Sequence, residues 1–301
     1  RLPWASQSLA AFPFILVLAW YGALAVLTFR PLRQQLKQIR PRPAVALGML
    51  AALCLWTWSA ALAAPDGTLQ LTLLDGGGEA ILIRTPSGRT ILIDAGPSLT
   101  KLTDELRREL SFGERLDWLL LAGSQREQIG ALATGLERVS PRALAWAVSS
   151  EQVDAVLEQS NAGGIAATEL HAGDVFDLGL NGKLEVVAVG ARGAVLLVEW
   201  EQFSALLPVG LDLDLMRDMD ASLALPPIDV LLLADGGNPA LSPSDWLADL
   251  APQIVWVAVG GELPEETQFA LQGYRVLATS QVGWSRINSD GENIWVEVNS
   301  P

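Results

Sequence analysis

From position 69 to 96 three short runs rich in Ile and Leu follow one another, LQLTLLD, EAILIRT and RTILIDAG. They are separated only by Gly76-Gly77-Gly78 and by Pro86-Ser87-Gly88. Runs this short and this tightly joined are too brief for packed helices and read as strands linked by sharp turns. Residues 99–110 then show helical spacing, DWLLLAG reads as a buried strand, and 128–139 returns to helical spacing. Further strands are expected at ALAWAV, KLEVVAV, AVLLVEW and FSALLP, over 229–234 and 253–259, and in the closing VGWSRINSDGENIWVEV. Helices are expected near 242–250 and 265–271. Hairpins mixed with strand–helix units predict layered sheets with helices outside, an α/β/β/α sandwich over residues 66–301.

Upstream of residue 65 the sequence is of another kind. Residues 9–28 and 44–64 are two runs without a charged side chain, each about 20 residues, the length that crosses roughly 30 Å of hydrocarbon as a helix. Between them Arg30, Arg33, Lys37, Arg40 and Arg42 make a basic loop, in which Leu32, Leu36 and Ile39 fall at helical spacing. The reading is two transmembrane helices, with the basic loop in the cytoplasm by the positive-inside rule and the domain that follows outside it. That describes a multi-pass protein of a bacterial cell membrane with an extracytoplasmic domain. Ala61-Leu62-Ala63 also has the form of a signal-peptidase site, so cleavage after the second run stays open. The charge divides at the same place. Residues 1–64 hold six basic and no acidic residues, which leaves 14 of the 20 Lys and Arg against all 34 Asp and Glu. The downstream domain therefore has a formal charge of −20, the wrong sign for holding a phosphate backbone. Cys54 is the one cysteine, which excludes an intrachain disulfide framework and a cysteine-rich metal site.

The run LTLLDGGGEAILIRTPSGRTILIDAG resembles the opening of the metallo-β-lactamase-like domain of ComEC-type competence proteins, which reads LDVGQGDAILI, a Gly turn, then LIDAG. DWLLLAGSQREQIGAL is similar to that family's strand and metal loop, L-T-H-S-H-A-D-H-I-G-G. GAVLLVEWEQFSALLPVG is similar to the hairpin that ends in L-T-G-D, and DVLLLADGGNPALSPSDWLADLAPQIVWVAVG to the segment carrying G-H-H-G-S. The resemblance runs over essentially the whole chain. It implies a role in DNA uptake, with the remaining helices of a transport channel as partner.

Matched position by position, the resemblance fails where metal would be held. The H-x-H-x-D-H ligands fall on Gly123, Gln125, Glu127 and Gln128, the bridging Asp on Gly210 with Asp212 two residues away, and the paired His on Asp235 and Gly236. Asp94 of the IDAG motif alone is kept. A binuclear zinc site needs several imidazole or thiolate ligands, and Gly and Gln supply neither. No metal or other cofactor is therefore expected, and without zinc no bound water is made acidic enough to attack. His171, the one histidine, sits in a turn ahead of a strand and reads as a surface residue. The resemblance thus implies a pseudo-enzyme with a structural or partner-binding role.

Two other readings stay open. Asp75, Glu79, Asp94, Glu127, Asp212 and Asp235 could converge and hold a hard cation, which would make the domain a hydrolase with a carboxylate-based site. Otherwise Asp75 and Asp94 cap turns and the rest are solvated, as in an unrelated membrane-tethered binding protein. Asp75-Gly76-Gly77-Gly78 lacks the spacing of a phosphate-binding loop, and neither a G-x-S-x-G elbow nor a second histidine for a catalytic triad is present.

Overall fold

The computed structural model describes residues 53–54, 67–110, 114–222 and 225–299, with only the helical backbone at 220–222. The chain divides into two units, Arg1–Pro65 and Asp66–Pro301. Of the first, Leu53 and Cys54 are helical, and the rest of the two apolar runs and the basic loop lie outside the described residues. Among the described residues no helix is long and apolar enough to cross a membrane.

The second unit opens on the expected strands, β1 (Leu69–Leu73), β2 (Ala80–Arg84) and β3 (Thr90–Asp94), paired antiparallel in sequence order. Helix α1 (Leu99–Glu109) then crosses over to β4 (Trp118–Leu121), which pairs parallel with β3. Two single turns, α2 (Arg126–Ile129) and α3 (Leu136–Val139), lead to β5 (Ala143–Trp146), and α4 (Glu151–Ala162) leads to β6 (Ala166–Glu169). A second sheet begins with β7 (Val175–Gly179), β8 (Gly182–Val189), β9 (Ala194–Trp200) and β10 (Phe203–Leu207), all antiparallel. It continues in parallel through α5 (Leu213–Ser222), β11 (Val230–Leu233), α6 (Ser244–Leu250), β12 (Ile254–Val257), α7 (Glu265–Ala270) and β13 (Arg275–Ala278). After α8 (Thr279–Val282) the chain returns to the first sheet with β14 (Ser285–Ser289) and β15 (Ile294–Val298). The orders are β15-β14-β1-β2-β3-β4-β5-β6 and β13-β12-β11-β10-β9-β8-β7.

Strand alternation decides which core each side chain joins. Ile81, Ile83, Ile91 and Ile93 face the second sheet and meet Leu196, Val198, Leu207, Leu232 and Trp256 between the sheets. Ala80, Leu82 and Leu92 face the other way, onto Leu102 and Leu106 of α1 and Val153 and Val156 of α4. On the far side Leu206, Leu231, Leu233, Val255 and Val257 pack under Leu215, Trp246 and Leu247. The three cores separate four layers, helices, sheet, sheet, helices, as the sequence pattern predicts. Strands β2, β3, β11 and β12, in the middle of the two sheets, are buried along their length because both of their faces are covered.

The helix expected over 128–139 is broken instead into α2, a 3₁₀ turn at Leu132–Thr134 and α3. Gly135 explains one break: its φ of −149° is not helical, and a Cβ there would come within 2.4 Å of the Leu99 side chain. Helices α4 and α5 are not evident in the apolar spacing. Helix α4 is set by its cap, with Ser150 Oγ accepting from Val153 N at 3.2 Å.

Candidate functional site

The parallel strands of both sheets end on the same side of the molecule as the candidate residues, the place where open α/β sheets put their ligand sites. Asp94 is the last residue of β3, 122–128 follow β4, Gly210 and Asp212 follow β10, and Asp235 and Gly236 follow β11. Glu79 precedes β2, and since Ala80 pairs with Asp94 in the antiparallel register, it joins the same end.

Asp94 is fully buried and has a left-handed backbone at φ +52°, a conformation that Asp tolerates better than most side chains. Its Oδ1 accepts from Ala122 N at 2.8 Å and from Gly123 N at 3.2 Å, and its Oδ2 from Gly123 N at 3.0 Å. Both oxygens are thus turned to the backbone of the β4 loop. Beside it Glu79, 4 % exposed, accepts from Gln128 Nε2 at 2.9 Å through Oε2 and from Asp235 N at 2.8 Å through Oε1. The Gln128 amide oxygen in turn accepts from Gln125 N at 3.2 Å. One buried carboxyl therefore fastens the start of β2, the β4 loop and the end of β11, segments 49 and 156 residues apart along the chain.

Burial sets the titration of this pair. Desolvation pushes Glu79 up to about 7, against the pull of the Gln128 and Asp235 hydrogen bonds and with added push from the Asp235 carboxylate. Asp94 also lies well above the usual range, first through burial and then through the Glu79 charge, while the Gly123 and Ala122 N–H groups oppose the shift. Arg192, whose charge pulls Glu79 back down, places its Nη2 3.5 Å from Asp235 Oδ2. Asn238 Nδ2 also donates to that oxygen, at 3.2 Å.

The positions matched to metal ligands do not fit a metal. A Cβ at Gly123 would come within 2.1 Å of Gln128 Oε1 and 2.8 Å of Asp94 Oδ2, so the Gln128 amide fills the space of a side chain at 123. A Cβ at Gly210, where φ is +71°, would meet Arg192 O at 2.6 Å and Gly193 Cα at 2.7 Å, so backbone closes that position. Gly236 has φ +65° and offers no side chain. The Glu127 and Gln125 side chains do not enter the pair: Glu127 is exposed, and Gln125 is half-buried at the start of α2. Among the described residues no three His, Cys, Asp or Glu side chains stand at metal-ligating spacing.

Of the six carboxylates that the sequence offers, Glu79, Asp94 and Asp235 come together. Asp75 lies instead near Glu105 of α1, and Asp212 Oδ1 accepts from Leu215 N at 2.8 Å, capping α5. The reading of Asp94 as a turn cap is too modest, because it ties the end of β3 to the end of β4. His171 is exposed, with its N–H on Asp174 Oδ2 at 2.8 Å, a surface turn as expected. Gln128 as the filler and Arg192 as the partner of Asp235 have no sequence signal; both follow from loops that meet only in the folded chain.

No sequence family and no curated protein matches this chain. Solved structures do match it in fold. The metallo-β-lactamase fold protein YhfI from Bacillus subtilis superposes with a TM-score of 0.50 at 8 % identity, over 76 % of this chain and all of that one. A diphosphatase of the PhnP family gives 0.45 at 13 % identity, over 70 % and 94 %. Zinc-bound PqqB from Methylobacterium extorquens gives 0.45 at 12 % identity, over 66 % and 84 %. The chain has the metallo-β-lactamase fold. At these identities the likeness is one of fold, and fold does not carry chemistry with it.

Proposed function

We propose that residues 66–301 are a non-catalytic metallo-β-lactamase-fold module of a ComEC-like membrane protein, with a structural or partner-binding part in DNA uptake. The observation that carries the loss of chemistry is the Gln128 amide, held by Glu79 in the space that a ligand at 123 would need. The competence role rests on the resemblance of the strand and loop segments. The extracytoplasmic placement rests on the basic loop at 30–42. The partner implied is the remaining helices of a transport channel, and the acidic domain is not a nucleic-acid binder in its own right.

The convergence of Glu79, Asp94 and Asp235 gives the second reading, a hydrolase with a carboxylate-held cation. Against it, the Asp94 and Glu79 oxygens are taken up by N–H donors, which a cation would have to displace. Elemental analysis of the purified full chain, after dialysis against a chelator and re-exposure to zinc, manganese and magnesium, separates the two. The expected result is less than stoichiometric metal with an unchanged circular-dichroism spectrum. A tightly held pair of metal ions, with metal-dependent hydrolysis lost in Asp94→Ala, would overturn the proposal.

A further inference from the structure

A groove lies apart from this site, on the outer face of β1, β14 and β15. The strand register sets Gln70, Asn288 and Trp295 in one row across the three strands, and Thr72, Arg286 and Glu297 in the next. Leu71 and Ile287, between these rows, point the other way into the core. The groove is shallow and open, with a volume of about 310 Å³, and is lined by Thr68, Gln70, Arg286, Asn288, Trp295 and Glu297. That is the lower end of the size range of small-molecule sites.

Its charges are already matched within its own wall. Arg286 Nη1 pairs with Glu297 Oε2 at 3.3 Å, Nη2 pairs with Glu109 at the end of α1, and Nε donates to Thr72 Oγ1 at 3.2 Å. Asn288 Nδ2 donates to Glu297 Oε1 at 3.0 Å. An anionic or cationic ligand would have to break these pairs to be recognised. The Trp295 ring is 48 % exposed on an edge strand. Half open to solvent with polar side chains around it, the indole offers what a ligand with an apolar face and a polar rim can use.

We infer that this groove binds a neutral saccharide, with the C–H face of a sugar ring on Trp295 and its hydroxyls on Gln70, Asn288 and Glu297. The inference is independent of the proposed function, since it shares no residue with the Glu79 site. The test is saturation-transfer NMR on the full chain with cellobiose, maltose and N,N′-diacetylchitobiose, with glucuronate as an anionic control. Transfer should be strongest to the ring C–H protons of a neutral disaccharide and should fall by roughly tenfold in affinity in Trp295→Ala, as for an aromatic anchor. Asn288→Ala, an independent variant on β14, should weaken the same sugar. The proposal is overturned by no transfer to any neutral sugar, by binding unchanged in both variants, or by glucuronate binding as well as the neutral probes.

Discussion

Replacing Glu79 by Gln removes a buried charge while keeping the shape of the side chain, and the structure gives the size and the pH range of the effect. Unfolded, this carboxyl titrates near 4.5; folded, burial holds it near 7. Below 4.5 it is protonated in both states and contributes nothing. Between those values the unfolded chain gives up the proton and the folded chain keeps it, so stability falls as pH rises, and above about 7 the loss levels off. Each unit of separation is worth about 1.4 kcal/mol, so the whole penalty is on the order of 3 kcal/mol. Glu79→Gln resembles the protonated acid, with no charge, one carbonyl acceptor and a donor beside it. Loss of the Glu79 charge also relieves Asp94, which adds in the same direction. Urea unfolding followed by tryptophan fluorescence, from about pH 5 to about pH 8, measures the difference between variant and wild type. The variant should gain on wild type as pH rises, by about 2.5 kcal/mol across that range, since part of the penalty is already present at about pH 5. Any constant cost of repacking the amide shifts both ends equally, so the slope of the difference is the diagnostic. A difference that does not change with pH, or one that favours wild type increasingly above pH 7, would refute a buried, desolvated Glu79.

Three further outcomes are expected. Gly210→Ala adds a Cβ 2.6 Å from Arg192 O at a positive φ, so thermal melting should record a loss of about 2 kcal/mol or more, and an unchanged midpoint would show that the 192–193 backbone yields. In fluorescence anisotropy at low salt the full chain should bind a labelled oligonucleotide no tighter than roughly 10⁻⁴ M, given 34 acidic against 14 basic residues beyond position 64; micromolar binding would contradict the charge argument. With Cys54 replaced by Ser, an impermeant thiol reagent applied outside whole cells should modify Gly67→Cys and spare Gln35→Cys, and the reverse pattern would invert the topology.

Most strand segments were legible in the sequence because their signal is local, whereas β6, β7 and β13, which are short and partly exposed, were not expected. Alternation at i and i+2 sorts Ile81, Ile83, Ile91 and Ile93 from Leu82 and Leu92, and that sorting is the same in any sheet covered on both faces. The turns at 76–78 and 86–88 were legible for a similar reason, since Gly and Pro constrain their own backbone. Helix α4 was hidden because its buried residues, Val153, Val156 and Ser160, make only a narrow apolar stripe. The run at 128–139 misled because its apolar spacing is helical while the backbone at Gly135 is not.

At the site, residue chemistry could be read directly and residue neighbours could not. That Gly123, Gln125, Gln128, Gly210 and Gly236 offer no imidazole is a property of the side chains themselves, fixed before any folding. Which of the six carboxylates meet is different. Glu79 reaches Gln128 and Asp235 only because β2 runs antiparallel to β3 in one sheet while β11 ends at the same side of the other. No short-range pattern encodes a contact across 156 residues; it is the sum of two sheet registers and the packing of one sheet on the other. The raised titration of Glu79 and Asp94 belongs to the same level, because desolvation depends on what surrounds a carboxyl in space and not on what flanks it in the chain.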